Sequence, residues 1–158
     1  MTKFRSNTVN FEDESDSRFP RARVLVVGEH TSLAKAFLQM HSSGGQQRVT
    51  LSESVNLADD RDIFESIRMR RPDYVVNCLV ESGVDRAETD PSDCRLMNHD
   101  LPVSLAIACR EFGATLIQLS TDYIFDGQKD IAYFEDDAPN PLNLYGQTRL
   151  EAERDLAN

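Results

Sequence analysis

Three side chains in the last third of the sequence carry groups suited to proton chemistry on a polar ligand: the hydroxyl of Thr121, the phenol of Tyr145 and the guanidinium of Arg149. Tyr145 and Arg149 stand four positions apart, so on a helix they share one face. Thr121 follows Ser120 at the end of an apolar run, 115–119, whose length and composition predict a strand buried on both faces. Ligands of open α/β sheets bind outside the carboxyl ends of the strands, which is where this hydroxyl and phenol would stand. A free phenol titrates near 10 and must fall by about 3 units, roughly 4 kcal/mol, to work near neutral pH. The charge of Arg149 would supply part of that shift, although a guanidinium is planar, bulkier than an ammonium and does not deprotonate. Each residue also has a plainer reading. Thr121 could satisfy backbone at a strand end, Tyr145 could be a half-buried aromatic at a helix start, and Arg149 could be an exposed arginine paired with Glu153.

The elements that would position these groups follow an alternating pattern. Val24 to Val27 reads as a buried first strand ending at Gly28, and Thr31 to Met40 as a helix with Leu33, Ala36, Phe37 and Met40 on one stripe. After a Ser/Gly loop at 42–45, Arg48 to Leu51 reads as a short second strand. Asp59 and Asp60 start a helix with Ile63, Phe64 and Ile67 on its core face, and Pro72 ends it. Tyr74 to Val76 gives a third strand ending at Asn77, 81–91 reads mostly as loop, and 92–112 as one long helix stopped by Gly113. With the strand at 115–119 and the Tyr145 helix, the order is β-α-β-α-β-α-β-α. That alternation predicts right-handed crossovers and a Rossmann-type, doubly wound parallel sheet.

Four long, irregular motifs carry a resemblance: Ser120-Thr121-Asp122-Tyr123-Ile124-Phe125-Asp126-Gly127, Pro139-Asn140-Pro141-Leu142-Asn143-Leu144-Tyr145-Gly146, Pro72-Asp73-Tyr74-Val75-Val76-Asn77 and Val84-Asp85-Arg86-Ala87-Glu88. With them the chain from Arg23 to Leu156 resembles the extended short-chain dehydrogenase/reductase superfamily, most closely its dTDP-4-dehydrorhamnose reductase branch. The regulatory beta subunit of methionine adenosyltransferase shares the pattern and serves as a partner. The resemblance implies NADP or NAD as cofactor and a nucleotide-sugar substrate. It also implies that Thr121 orients a carbonyl and Tyr145 protonates it during hydride transfer, with a lysine assisting at the position held here by Arg149.

By the same resemblance, the cofactor-binding positions are Gly28, Thr31, Ser32 and Leu33 in the phosphate loop, Glu53 at the adenosine ribose, and Asn77 with Cys78 on the nicotinamide side. The sequence departs from the pattern at several of these. A glycine-rich loop lets the backbone approach a pyrophosphate, but here Gly28 is followed by Thr31 and Ala34, and Glu29 brings a negative charge toward the anion position. Thr31 reads either as part of that grip or as a helix N-cap. Glu53 reads either as the ribose ligand or as an exposed loop carboxylate, and Asn56 takes a place often acidic in relatives. Leu79 and Val80 stand where relatives have small residues, while Asp85 and Glu88 brace the following helix.

Composition sets the outer bounds. A chain of 158 residues can bury one sizeable core. With 27 acidic against 17 basic residues and a net charge of −10, a general nucleic-acid binder is excluded. No apolar run nears the roughly 20 residues of a membrane span, and the start lacks a signal-peptide core, so a cytoplasmic protein is expected. Cys78, Cys94 and Cys109 have no Cys-x-x-Cys spacing and the histidines no ligand spacing, so no metal site is expected. Residues 1–20, with Glu12, Asp13, Glu14 and Asp16, read as a disordered acidic tail, and 21–158 as one dinucleotide-binding domain.

Extended members of the superfamily continue into a substrate domain, whereas this sequence stops soon after the Tyr145 helix. The last strand is therefore expected to have an open edge, paired with a continuation, a second copy or another chain. Two functions fit. One is a nucleotide-sugar reductase. The other is a relative with impaired or no autonomous activity that acts as a binding or regulatory subunit, and the altered glycine loop, Arg149 and the short chain favour it.

Overall fold

A computed structural model of the chain describes residues 22–40, 47–50 and 55–157. The acidic stretch 1–20, the Ser/Gly loop at 42–45 and Glu53 lie outside them.

The described residues form one parallel sheet of four strands: β1 (Arg23–Val27), β2 (Gln47–Thr50), β3 (Tyr74–Asn77) and β4 (Thr115–Gln118), in the order β2-β1-β3-β4. β1 pairs with β3 from Val24↔Tyr74 to Val27↔Asn77, and β3 with β4 from Tyr74↔Thr115 to Asn77↔Gln118. The strand order reverses between β1 and β3, so the crevice at their carboxyl ends lies between Gly28 and Asn77. β2 begins one residue earlier than the sequence suggests.

Alternation along β1 splits the core into two layers. Leu25 and Val27 pack with Ile63 and Ile67 of α2 (Asp60–Arg70) and with Leu101, Leu105 and Ala108 of α5 (Leu101–Phe112). Val24 and Val26 pack on the other face with Ala34, Phe37 and Leu38 of α1 (Ser32–Met40). The expected α1 stripe is therefore displaced: Leu33 is 48% exposed and Ala36 is exposed, while Ala34 is fully buried. Leu33 and Ala36 read as core by spacing alone, but Ala34 is the residue packed against the sheet, with Phe37 and Leu38 partly buried beside it.

Two further differences concern the stretch 81–112. The part expected to be loop contains α3 (Val84–Thr89), which buries Ala87. Instead of one uniform helix, α4 (Pro91–Arg95) leads through a π-helical turn, Leu96–Asp100, into α5. Proline explains this interruption. Pro102 has no N–H for the carbonyl four residues back, and its ring would crowd that carbonyl. Widening by one residue, with Leu101 N–H bonding Leu96 C=O, relieves both problems.

α6 (Leu144–Leu156) completes the fold against the π turn, α5 and α3. β4 is not buried on both faces as expected: Ile117 is 43% and Leu119 42% exposed, because α1 covers only β1 and β3 on that side. Among the described residues no helix is long and apolar enough to cross a membrane.

Candidate functional site

β4 delivers Leu119, Ser120 and Thr121 to the carboxyl end of the sheet, and three contacts gather the candidate residues there. Thr121 caps a 3-10 turn, Asp122–Ile124: its Oγ1 accepts the Tyr123 N–H at 3.3 Å and donates to Asp122 Oδ1 at 3.3 Å. The Tyr123 ring meets the Tyr145 ring edge-on, with centroids 5.5 Å apart. Arg149 Nη2 donates to the Leu119 carbonyl two residues before Thr121. Thr121, Tyr145 and Arg149 are thus brought to one end of one strand.

Local sequence accounts for where Tyr145 sits. Asn143 Oδ1 accepts the Gly146 N–H at 2.8 Å, an N-cap, and Glu88 Oε1 of α3 accepts the Leu144 N–H at 2.8 Å. Gly146 lies so close to the Tyr123 carbonyl oxygen that a Cβ there would overlap it. The Tyr145 ring is buried with Ala87 and Cys94. Its hydroxyl makes no hydrogen bond among the described residues.

Arg149 is not the exposed arginine paired with Glu153 that spacing allowed. It is 4% exposed, and Glu153 Oε1 instead accepts a hydrogen bond from Ser120 Oγ. Burial pushes the Arg149 pKa down, opposed by the charges of Tyr145 and Glu153 nearby. Its Nε is buried with no hydrogen-bond partner among the described residues.

At the crevice between β1 and β3, Thr31 takes the capping role. Its Oγ1 accepts the Ala34 N–H at 3.1 Å and donates to the Gly28 carbonyl at 2.9 Å, and the Thr31 N–H reaches the same carbonyl at 3.0 Å. Gly28 has φ +83, and a Cβ there would lie 2.9 Å from the Leu79 nitrogen. Ser32 and Leu33 begin α1 with exposed side chains, and Glu29 lies 3.8 Å from His30.

Across the crevice, Asn77 Nδ2 donates to Gln118 Oε1 at 2.9 Å and its Oδ1 accepts the Leu79 N–H at 3.1 Å, so this buried amide braces β3 against β4. Cys78 is buried and its thiol pKa is raised by desolvation, as is that of Cys109, to about 11; these are packing thiols. The π turn aims Asn98 inward, where its amide both donates to and accepts from the Glu81 backbone, at 3.0 and 3.1 Å. Glu81 in turn accepts the Gly83 N–H and pairs with Arg86 at 3.0 Å. The loop between β3 and α3 is thereby pinned at both ends.

Asp126 is a hub that the sequence reading did not single out. It accepts from Tyr133 Oη at 2.6 Å, Asn140 Nδ2 at 3.0 Å and the Gln128 N–H at 3.0 Å, folding the loop between β4 and α6 around one carboxylate. The Tyr133 hydroxyl, then Asn140 and Gln128, hold its pKa at about 2. The Asp-Gly pair at 126–127, with Gly127 at φ +71, was the available signal. A groove of about 560 Å³ lies elsewhere, across β4 between α5 and α6, and none of the candidate site residues lines it.

A parallel sheet wound on both faces, with a threonine, a tyrosine and a cation at the end of one strand, defines an α/β domain of the extended short-chain dehydrogenase/reductase kind. The chain belongs to the RmlD substrate binding domain family, whose model matches residues 22–158. It is 35% identical over 139 residues to dTDP-4-dehydrorhamnose reductase of Streptomyces griseus, covering 87% of this chain and 46% of that protein. It is also 36% identical over 149 residues to methionine adenosyltransferase 2 subunit beta of Bos taurus, covering 89% and 44%. A dTDP-4-dehydrorhamnose reductase structure from Clostridium acetobutylicum superposes with a TM-score of 0.82 at 26% identity, over 85% of this chain and 49% of that one. A Bacillus anthracis reductase in complex with NADP shares the fold at TM-score 0.83 and 23% identity, over 88% and 50%. The chain spans about half the length of the relatives it matches.

Proposed function

We propose that this chain is a dTDP-4-dehydrorhamnose reductase-like domain with impaired or no autonomous reductase activity, in which the reductase site survives as architecture. The observation that carries this reading is the state of Arg149. A cation that assists a tyrosine and a cofactor ribose needs donors turned toward them, whereas this guanidinium is buried and spends a hydrogen bond on the carbonyl of Leu119. The dinucleotide positions fit an NADP or NAD poorly on the same grounds. Thr31 closes its loop onto Gly28 and takes the Ala34 N–H, Asn77 is committed to Gln118 and Leu79, and Leu79 lies against Gly28.

Steady-state oxidation of NADPH in the presence of dTDP-4-dehydrorhamnose tests the reading. Turnover indistinguishable from the substrate-free rate is expected, for the chain and for its Arg149→Lys variant. Turnover abolished by Tyr145→Phe would overturn it and restore Thr121 and Tyr145 to catalytic roles.

A second reading is a non-catalytic regulatory or binding subunit. The similarity to methionine adenosyltransferase 2 subunit beta, along 89% of the chain, favours it. Co-purification with a catalytic partner and a change in that partner's rate would support it, and would leave the absence of turnover by the chain itself unchanged.

A further inference from the structure

Three buried side chains stand in line between the π turn and the head of α6. Cys94 of α4 and Asn98 of the π turn are fully buried, and Thr148 of α6 is buried beside them. Asn98 Nδ2 lies 3.3 Å from Cys94 Sγ, and Cys94 Sγ lies 3.4 Å from Thr148 Oγ1. Thr148 Oγ1 is in turn 3.0 Å from the carbonyl oxygens of both Leu144 and Tyr145. Counting donors and acceptors gives this line a direction. The Asn98 amide oxygen accepts the Glu81 N–H, while its NH2 group donates to the Glu81 carbonyl and to Cys94 Sγ. The Thr148 O–H is directed to the carbonyls one turn back on its own helix, which leaves its oxygen as the acceptor. The Cys94 S–H therefore donates to Thr148 Oγ1, and the thiol both receives and passes on a hydrogen bond.

The two ends of the line belong to the two halves of the site. At one end is the loop that leaves β3 at the crevice, held by Asn77 at the Leu79 N–H and by Asn98 at both backbone groups of Glu81. At the other end is Tyr145, whose ring is buried in one cluster with Cys94 and Ala87, and Val80 of the same loop packs against that cluster. Because the Tyr145 hydroxyl makes no hydrogen bond among the described residues, the ring is located by what it packs on and by the helix that carries it. Cys94 enters into both. Its sulfur is part of the packing, and its hydrogen bonds tie the helix head to the loop.

We propose that Cys94 is a positioning residue for Tyr145: its thiol, accepting from Asn98 and donating to Thr148, passes the setting of the crevice loop to the head of α6 and so fixes where the phenol stands. The crevice and the tyrosine then move as one unit. This holds whether or not the chain turns over a substrate, and it is read without one.

Nuclear magnetic resonance of the chain carrying 13C-labelled tyrosine tests it, with the Cys94 thiol proton followed in the unaltered protein. That proton should be protected from exchange and show a cross-relaxation contact with Thr148. Cys94→Val fills the space without the hydrogen bonds, and it should displace the Tyr145 ring resonances by more than their linewidth. Cys94→Ser keeps a group that accepts and donates, and it should leave them near their original positions. Asn98→Ala and Thr148→Val cut the same line at different links, so the double variant should displace the ring by less than the sum of the two. Tyr74 and Tyr133, which lie away from the line, report in every variant that the chain is folded, and the thiol measurement needs no variant. An unprotected thiol proton would overturn the proposal. So would a Tyr145 ring indifferent to Cys94→Val, an equal displacement by Cys94→Ser, or strictly additive effects of Asn98→Ala and Thr148→Val.

Discussion

Asn143 holds the head of α6 by one side-chain hydrogen bond to the Gly146 N–H, and everything the Tyr145 position can do depends on that turn. Asn143→Ala should cost about 1 kcal/mol of stability, seen as a lower midpoint in urea with an unchanged slope. Thr31 does the equivalent work for α1, its hydroxyl accepting the Ala34 N–H. Arg149 was harder to foresee. Its spacing from Tyr145 and from Glu153 was plain in the sequence, but spacing along a helix gives only the face, not whether a long side chain lies out in water or folds back over a neighbouring strand. The bond from Ser120 to Glu153 removes the expected partner, and the Leu119 carbonyl takes its place.

Among the elements, the loop from β4 to α6 is tied together by a carboxylate, so its order is pH-dependent. The Asp126 pKa falls from an ordinary 3.8 to about 2 in the folded chain because Tyr133, Asn140 and Gln128 all donate to it. A group whose pKa is depressed by folding stabilises the folded state above its unfolded pKa, and that contribution is lost as pH falls through the folded value. The loop should therefore be firm above about pH 4 and loosen on acidification toward pH 2. Faster hydrogen exchange of the Gln128 amide in that window, after correction for intrinsic rates, would be the sign, and Asp126→Asn should remove the pH dependence. This hub was invisible to strand and helix periodicity because its three donors are drawn from irregular backbone. The π turn is a related case. Pro102 was visible in the sequence, but whether a helix breaks, kinks or widens at a proline depends on what packs around it, here Asn98 turning in to the Glu81 backbone.

At the scale of the whole molecule, the alternation of apolar runs was enough to read the doubly wound sheet. Val24–Val27 and Tyr74–Asn77 are short β-branched runs with no competing period, and the helices between them have clear starts and stops. What the runs could not tell was position within the sheet: Leu116, Ile117 and Leu119 read as a buried run, yet β4 stands at the edge of the described sheet with one face half bare, since burial is decided by which helix lands where. The site was legible as a neighbourhood for the same reason. Strand ends in such a sheet converge, so Thr121, Tyr145, Gly28 and Asn77 all come to its carboxyl side. Which of their polar atoms are left over for a ligand depends on partners such as the Gln118 side chain and the Leu79 backbone N–H, which no motif specifies.

The central claim is that the dinucleotide grip at the β1–β3 crevice is spent on internal bonds. Isothermal titration of NADPH into the chain, at protein concentrations where a micromolar complex would saturate, measures this directly. The account predicts no saturable heat; a micromolar dissociation constant would contradict it.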